Sequence, residues 1–356
     1  MTRSSTPAHD DPFHPHATGT GKVPRDGDRI SGLEADRPSE RWPVYHGPGD
    51  HGTFRSRTIA GGLRMFLRPA LDLMPASDVS LGRLRALTSG AGRAAALETT
   101  NDWSSDGPVP GLWVGRKRFF DSDTVLYHLH GGGFTFGSPW SHKALASRLA
   151  SEAGTPVFLP DYRLAPENPF PAAIEDVVAG WKWLLDMGFK PENIVVSGDS
   201  AGGNLVLQLI AELEAEGAAM PAGAVLLSPW VDLDITEMSE RDRARKDPFL
   251  AIGLVELSRQ QYAPGMDPSD PRISPVHLTP SPDWPPFLIQ CGGAEIFRGG
   301  IEQLAERFAE HGVRHEFQLW PHQFHVFQVF HPVVPEAKVA LRDIGSFIRG
   351  CLRSSA

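Results

Sequence analysis

Ser200 stands at the centre of Gly198-Asp199-Ser200-Ala201-Gly202-Gly203, directly after the apolar run Ile194-Val195-Val196-Ser197 and directly before Asn204-Leu205-Val206-Leu207. A short apolar strand therefore turns into an apolar helix around a serine bracketed by glycines. On so sharp a turn the serine backbone is strained and its hydroxyl is pushed above the sheet edge. The flanking residues must be small because strand and helix nearly touch there. The chemistry such a placement serves is nucleophilic attack. On its own the string is short, and a glycine-rich strand-to-helix turn also cradles phosphate. A second signal lies roughly seventy residues upstream, where Thr124-Val125-Leu126-Tyr127-His128-Leu129-His130 reads as a buried strand ending in Gly131-Gly132-Gly133-Phe134. Three consecutive glycines free backbone N–H groups to converge on one point, as acyl transfer needs where a carbonyl oxygen becomes negative. Alone those glycines would describe a flexible loop; in this order with the serine turn they point to catalysis.

His130-Gly131-Gly132-Gly133 together with Gly198-Asp199-Ser200-Ala201-Gly202-Gly203 resembles the hormone-sensitive-lipase-like family of α/β-hydrolase carboxylesterases. Asp161-Tyr162-Arg163-Leu164-Ala165-Pro166-Glu167, followed by Phe170-Pro171-Ala172-Ala173, is similar to a third segment of that family. The likeness covers roughly residues 90 to 352. It implies an α/β-hydrolase fold, a mostly parallel central sheet with helices on both faces and a helical cap. It implies hydrolysis of short-to-medium acyl esters without a cofactor. Relatives of the fold also include ligand-binding receptors and dehydratases that change the serine or the histidine, and amide hydrolysis would use the same groups.

A serine needs a base, and the base an orienting acid, which in this fold follow in the chain order serine, acid, histidine. Pro286-Phe287-Leu288-Ile289-Gln290-Cys291 reads as a strand, and Glu295 projects from the loop at its end, where open α/β sheets place their sites. Glu302, Glu306 and Glu310 share the polar face of a helix whose apolar stripe is Ile301, Leu304, Ala305 and Phe308, and Glu316 sits in a following strand-like run. Asp283 and Asp270 remain as reserves, awkwardly placed before the strand. The family usually carries aspartate where Glu295 stands, so this is a departure. Three histidines, His322, His325 and His331, are candidates for the base; His325-Val326-Phe327-Gln328 resembles the family's histidine loop, with His322 as its competitor. The resemblance implies that the N–H groups of Gly132, Gly133 and Ala201 bind the oxyanion. His130 and Gly131 then support that loop, and Asp199 and Asp161 act as structural anchors. Trp230, Val231, Phe134 and Phe327 flank the catalytic loops and are candidates for the acyl pocket or for plain core. A metal reading of His322/His325 or His128/His130 lacks partner ligands at a recognisable spacing.

The elements that must position these residues alternate along the chain. Val157-Phe158-Leu159 and Ala224-Val225-Leu226-Leu227 are further short apolar strands, and Ile174, Val177, Val178 and Trp181 repeat at helical spacing over 172–187. Strand–helix alternation predicts a parallel sheet covered on both faces, closed by a last helix over about 334–352. Residues 1–50 form a polar arm without apolar periodicity. Residues 51–90 and 236–269 are expected to build the cap, leaving 91–235 and 270–356 as the catalytic domain. The charge run Glu237, Glu240, Arg241, Asp242, Arg243, Arg245 and Lys246 reads equally as a solvated face. A net charge of −9 over 356 residues, with no basic stripe in the sequence, argues against nucleic acid as a partner, and no apolar run approaches a membrane span. With no apolar segment behind Met1 and only Cys291 and Cys351 as thiols, a cytoplasmic location is expected. The partner is a small-molecule ester; the residues do not fix the oligomeric state, and a homodimer stays open.

Overall fold

Runs of four to six consecutive apolar residues cannot leave either face of a strand to water, so they must form the middle of a covered sheet. The computed structural model, which describes residues 53–73, 82–86, 88, 90 and 100–354, bears this out. Eight strands, β1 (Thr100–Ser104), β2 (Gly111–Gly115), β3 (Val125–Leu129), β4 (Val157–Pro160), β5 (Ile194–Asp199), β6 (Gly223–Leu227), β7 (Phe287–Gly292) and β8 (His315–Trp320), form one sheet in the order β1-β2-β4-β3-β5-β6-β7-β8. β1 and β2, which the sequence pattern did not mark, form an antiparallel edge, β1 pairing with β2 and β2 with β4, and the pairings across β4-β3-β5-β6-β7-β8 are parallel. Register matters most at the centre, where Leu129 of β3 faces Gly198 of β5. That pairing brings the glycine loop after β3 beside the serine turn after β5.

Helices cover both faces. One layer holds Ala172–Asp186 and Ala201–Ala215, whose Val177, Trp181, Leu205 and Leu209 join Tyr127, Phe158 and Val196 in the larger core. The other holds Pro139–Ala153 and Pro335–Ser354, whose Leu145, Leu149, Leu341 and Ile344 pack on Leu126, Val195 and Val225. Ser138 starts the first of these with a reciprocal capping box to Ser141, and Gly154 ends it in the left-handed conformation.

Two helical stretches lie outside this alternation. Phe54–Gly62 continues through a π turn at Leu63–Leu67 into Arg68–Asp72. Thr236–Ala244 and Ile252–Tyr262 follow β6. Arg68 fastens the two stretches: its guanidinium, 2 % exposed, pairs with buried Asp242 at 2.7 Å and donates to the carbonyls of Asp247 and Leu250. Asp242 is therefore the interior member of the charge run and Arg241 is half-buried, while Glu237, Glu240, Arg243, Arg245 and Lys246 are exposed. The expected arm, residues 1–50, lies outside the described residues, as does much of 74–99. Among the described residues no helix is long and apolar enough to cross a membrane.

Candidate active site

The turn after β5 has the conformation the sequence demanded. Ser200 sits at φ 53° and ψ −120°, outside the regions L-residues readily populate, and the helix Ala201–Ala215 starts immediately after it. A Cβ at Gly202 would collide with the carbonyl oxygen of Leu129, so the helix can pass this close to β3 only with glycine there. The Ser200 side chain lines a cavity of about 410 Å³, and among the described residues its hydroxyl makes no hydrogen bond.

Gly132 and Gly133 line the same cavity with positive φ angles of 123° and 59°. Among the described residues the N–H groups of Gly132, Gly133 and Ala201 donate to no protein acceptor, whereas Gly131 donates to Asp199 Oδ1 at 3.1 Å. His130 is fully buried, bonds the Gly131 carbonyl through Nδ1 at 2.9 Å, and stacks on Tyr162. Burial pushes its pKa down to about 3, with the nearby His142 adding to the effect, so it is a neutral strut for the loop. Asp199 holds the loop through that hydrogen bond to Gly131. Among the described residues the exposed Asp161 side chain makes no hydrogen bond, and its N–H donates to the Pro110 carbonyl.

The structure brings Glu295 and His325 together and leaves their competitors apart. Glu295 is 1 % exposed and its Oε2 accepts from His325 Nδ1 at 3.1 Å. Its other oxygen accepts from the Gly292 N–H at 3.2 Å and the Cys291 thiol at 3.0 Å. Burial, the first cause, and the adjacent Glu295 carboxylate hold that thiol well above its ordinary pKa, so it remains a protonated donor. The acid and histidine loops are laced together by Gly293 N–H to the Trp320 carbonyl (2.8 Å) and Ala294 N–H to the Gln323 carbonyl (2.9 Å). Phe297 meets the His325 ring edge-on at 4.9 Å and stacks on Trp230. His325 and Val326 line the cavity with Ser200; His322 and His331 do not. Asp283 is exposed, and Asp270 is spent on Arg272.

Of the residues considered for the acyl pocket, only Trp230 lines the cavity. Phe134 is fully buried and stacks on Tyr262 at 3.7 Å, Val231 is core, and Phe327 packs against Trp320. The apolar wall comes instead from Phe249, Leu250, Leu254 and Val255, together with Trp230 and Phe297. Two participants carried no local signal. His142 lines the cavity beside the glycine loop. Asp247, fully buried, accepts from the N–H groups of Phe249, Leu250 and Ile296 at 2.7, 2.9 and 3.0 Å, joining the apolar wall to the residue after Glu295.

Comparison with known proteins agrees in fold and in chemistry. A family model for the α/β-hydrolase fold matches residues 126–329. An acetyl-hydrolase of Streptomyces hygroscopicus is 39% identical over 239 residues, 67% of this chain and 78% of that protein. An esterase of Acinetobacter venetianus is 38% identical over 224 residues, 63% of this chain and 74% of its own length. The crystal structure of an esterase from the bacterial hormone-sensitive lipase family superposes with a TM-score of 0.75 at 34% identity, covering 83% of this chain and 98% of that one.

Proposed function

The chain belongs to the hormone-sensitive-lipase-like esterases of the α/β-hydrolase fold, and from that premise we propose that it hydrolyses short-to-medium acyl esters through an acyl-enzyme on Ser200. The observation that carries this reading is the convergence on one cavity of a strained serine, a carboxylate-bound histidine and a loop with unspent N–H groups. Ser200 Oγ attacks the ester carbonyl while His325 Nε2 takes its proton. The carbonyl oxygen becomes an oxyanion held by the N–H groups of Gly132, Gly133 and Ala201, each worth roughly 3 kcal/mol in the transition state. His325 then protonates the departing alkoxide, and the C–O bond breaks. Water, deprotonated by His325, attacks the acyl-enzyme and releases the acid. Glu295 keeps the imidazole proton on Nδ1 and stabilises the imidazolium. In this structure the hydrogen bond between Ser200 and His325 is not formed, and contacts of this kind tighten when substrate enters.

Residues 236–269 act in this reading as the cap, with 51–90 as its expected second part, since Phe249, Leu250, Leu254, Val255 and Ser258, and Thr88 from the earlier segment, line the cavity together with Ser200. A volume of about 410 Å³ falls low in the roughly 300–1,000 Å³ range of small-molecule sites, which supports modest acyl chains. The test is a panel of p-nitrophenyl esters from acetate to laurate, with covalent labelling by a fluorophosphonate probe. Turnover should peak at the shorter chains, and Ser200→Ala should abolish both turnover and labelling. Labelling that persists in the variant, or a wild type inert to every ester, would refute the assignment.

A further inference from the structure

Beneath the glycine loop lies a cluster of ionisable groups that the triad does not use. Asp199 is 3 % exposed; its Oδ1 holds the Gly131 N–H at 3.1 Å and its Oδ2 faces His142 Nε2 at 3.2 Å. Its carboxylate is pressed so closely against the loop that a Cβ on Gly131 would collide with Oδ2. The other ring nitrogen of His142 faces Ser141 Oγ at 2.9 Å and, more loosely, the Ser138 carbonyl at 3.4 Å. That hydroxyl already donates its own hydrogen to the Ser138 carbonyl at 2.8 Å, so it presents a lone pair to the ring. Both nitrogens of His142 therefore face acceptors, and only the imidazolium can donate to both. In the neutral ring Ser141 would have to withdraw its hydrogen from the Ser138 carbonyl, or Asp199 would lose its hydrogen bond from His142.

We propose that His142, as an imidazolium paired with Asp199, positions the Gly131–Gly133 loop for oxyanion binding, so that turnover requires this second histidine charged while His325 is neutral. The inference rests on the reading of that loop as the oxyanion site. Burial opposes a charge on His142, but attraction to Asp199, the hydrogen bond to it and the Ser138 carbonyl outweigh burial and raise its pKa. Burial likewise opposes the Asp199 charge, and His142 and His128 overcome it to hold that carboxyl ionised. The other groups around the ring stay uncharged. His128, whose ring is 6.4 Å away, and His130, at 5.4 Å, are both held neutral chiefly by burial, and Tyr162 behind His130 is held well above its ordinary range by burial. The sign follows from the direction: a raised pKa keeps the pair intact at low pH and loses it as pH rises past the ordinary histidine value of about 6.5.

The experiment is the kcat–pH profile of the full-length enzyme on p-nitrophenyl acetate, corrected for spontaneous hydrolysis. Wild type should show an alkaline limb whose midpoint lies above the usual histidine value. His142→Gln, which can still donate one hydrogen bond to Asp199, should lose the alkaline limb and about tenfold in kcat at neutral pH, with KM nearly unchanged. Ser141→Ala is the second variant, and should move the alkaline midpoint to lower pH. A folded His142→Gln enzyme that keeps the wild-type alkaline limb overturns the inference, and so does a midpoint unmoved in Ser141→Ala; either leaves the esterase reading standing. A wild type that turns over no ester overturns both.

Discussion

Replacing Ser200 by glycine should make the protein more stable while destroying its activity. Holding a non-glycine residue at φ 53° and ψ −120° costs about 1–3 kcal/mol, because its Cβ crowds the neighbouring backbone. Glycine relieves that strain but adds about 0.5–1 kcal/mol of unfolded-chain entropy. The net expectation is a gain of roughly 1 kcal/mol. Ser200→Ala is the control, since it removes the hydroxyl and keeps the Cβ. The hydroxyl caps no N–H of the following helix, so alanine should stay within about 0.5 kcal/mol of wild type. Urea unfolding of the three proteins, compared through their midpoints at a common slope, reads the difference directly. A glycine variant no more stable than alanine would refute the claim that backbone strain is stored at this turn. An alanine variant that gains as much would place the cost on the hydroxyl instead.

Three further outcomes follow from the site. Glu295→Gln, which leaves an amide where the His325 Nδ1 proton is held, should lower kcat about 10³- to 10⁴-fold, whereas His322→Ala should stay within about twofold; steady-state rates on p-nitrophenyl butyrate decide it. Burial, opposed by three backbone N–H groups and His325, raises the Asp247 pKa to about 6. Because the folded state then holds a proton that the unfolded chain has released, wild-type stability falls as pH rises from about 4 to 6. Relative to Asp247→Asn, wild type should lose on the order of 3 kcal/mol between pH 4 and pH 7, and a pH-independent gap in urea unfolding would contradict this. Cys291, buried against Glu295, should be inert to a disulfide reagent in the native protein and react only on unfolding; native-state modification would contradict its burial.

The central sheet and the positions of the proposed trio Ser200, Glu295 and His325 were readable because their signals are local. Ile194–Ser197 and Phe287–Cys291 are apolar without interruption, and glycines mark the turns where they end. The place of Glu295 beside His325 was legible despite the departure from aspartate, since a strand end fixes where a loop acid must lie. Other parts depend on partners far away in the chain. Thr100–Ser104 reads TNDWS, an edge strand with no apolar alternation to betray it. Asp247 follows a charge run that looks solvated, and its burial comes from meeting Ile296, 49 residues later. His142 is a single histidine on an ordinary helix, and only the tertiary approach of Asp199 gives it a role. Phe134 and Phe327 flank catalytic residues in sequence, yet a turn of the backbone sends both side chains into the interior.

The Arg68 clasp bears on how such enzymes can be re-engineered. A single guanidinium from before the sheet satisfies a carboxylate and two carbonyls in the segment that forms the cavity wall. Transplanting residues 236–269 from a relative would leave that buried cation with Asp72 but without Asp242 and the two carbonyls unless the donor segment brings its own acceptor. Breaking a buried pair in this way costs about 3–5 kcal/mol. Chimeras meant to redirect selectivity should therefore exchange the two stretches as one cassette.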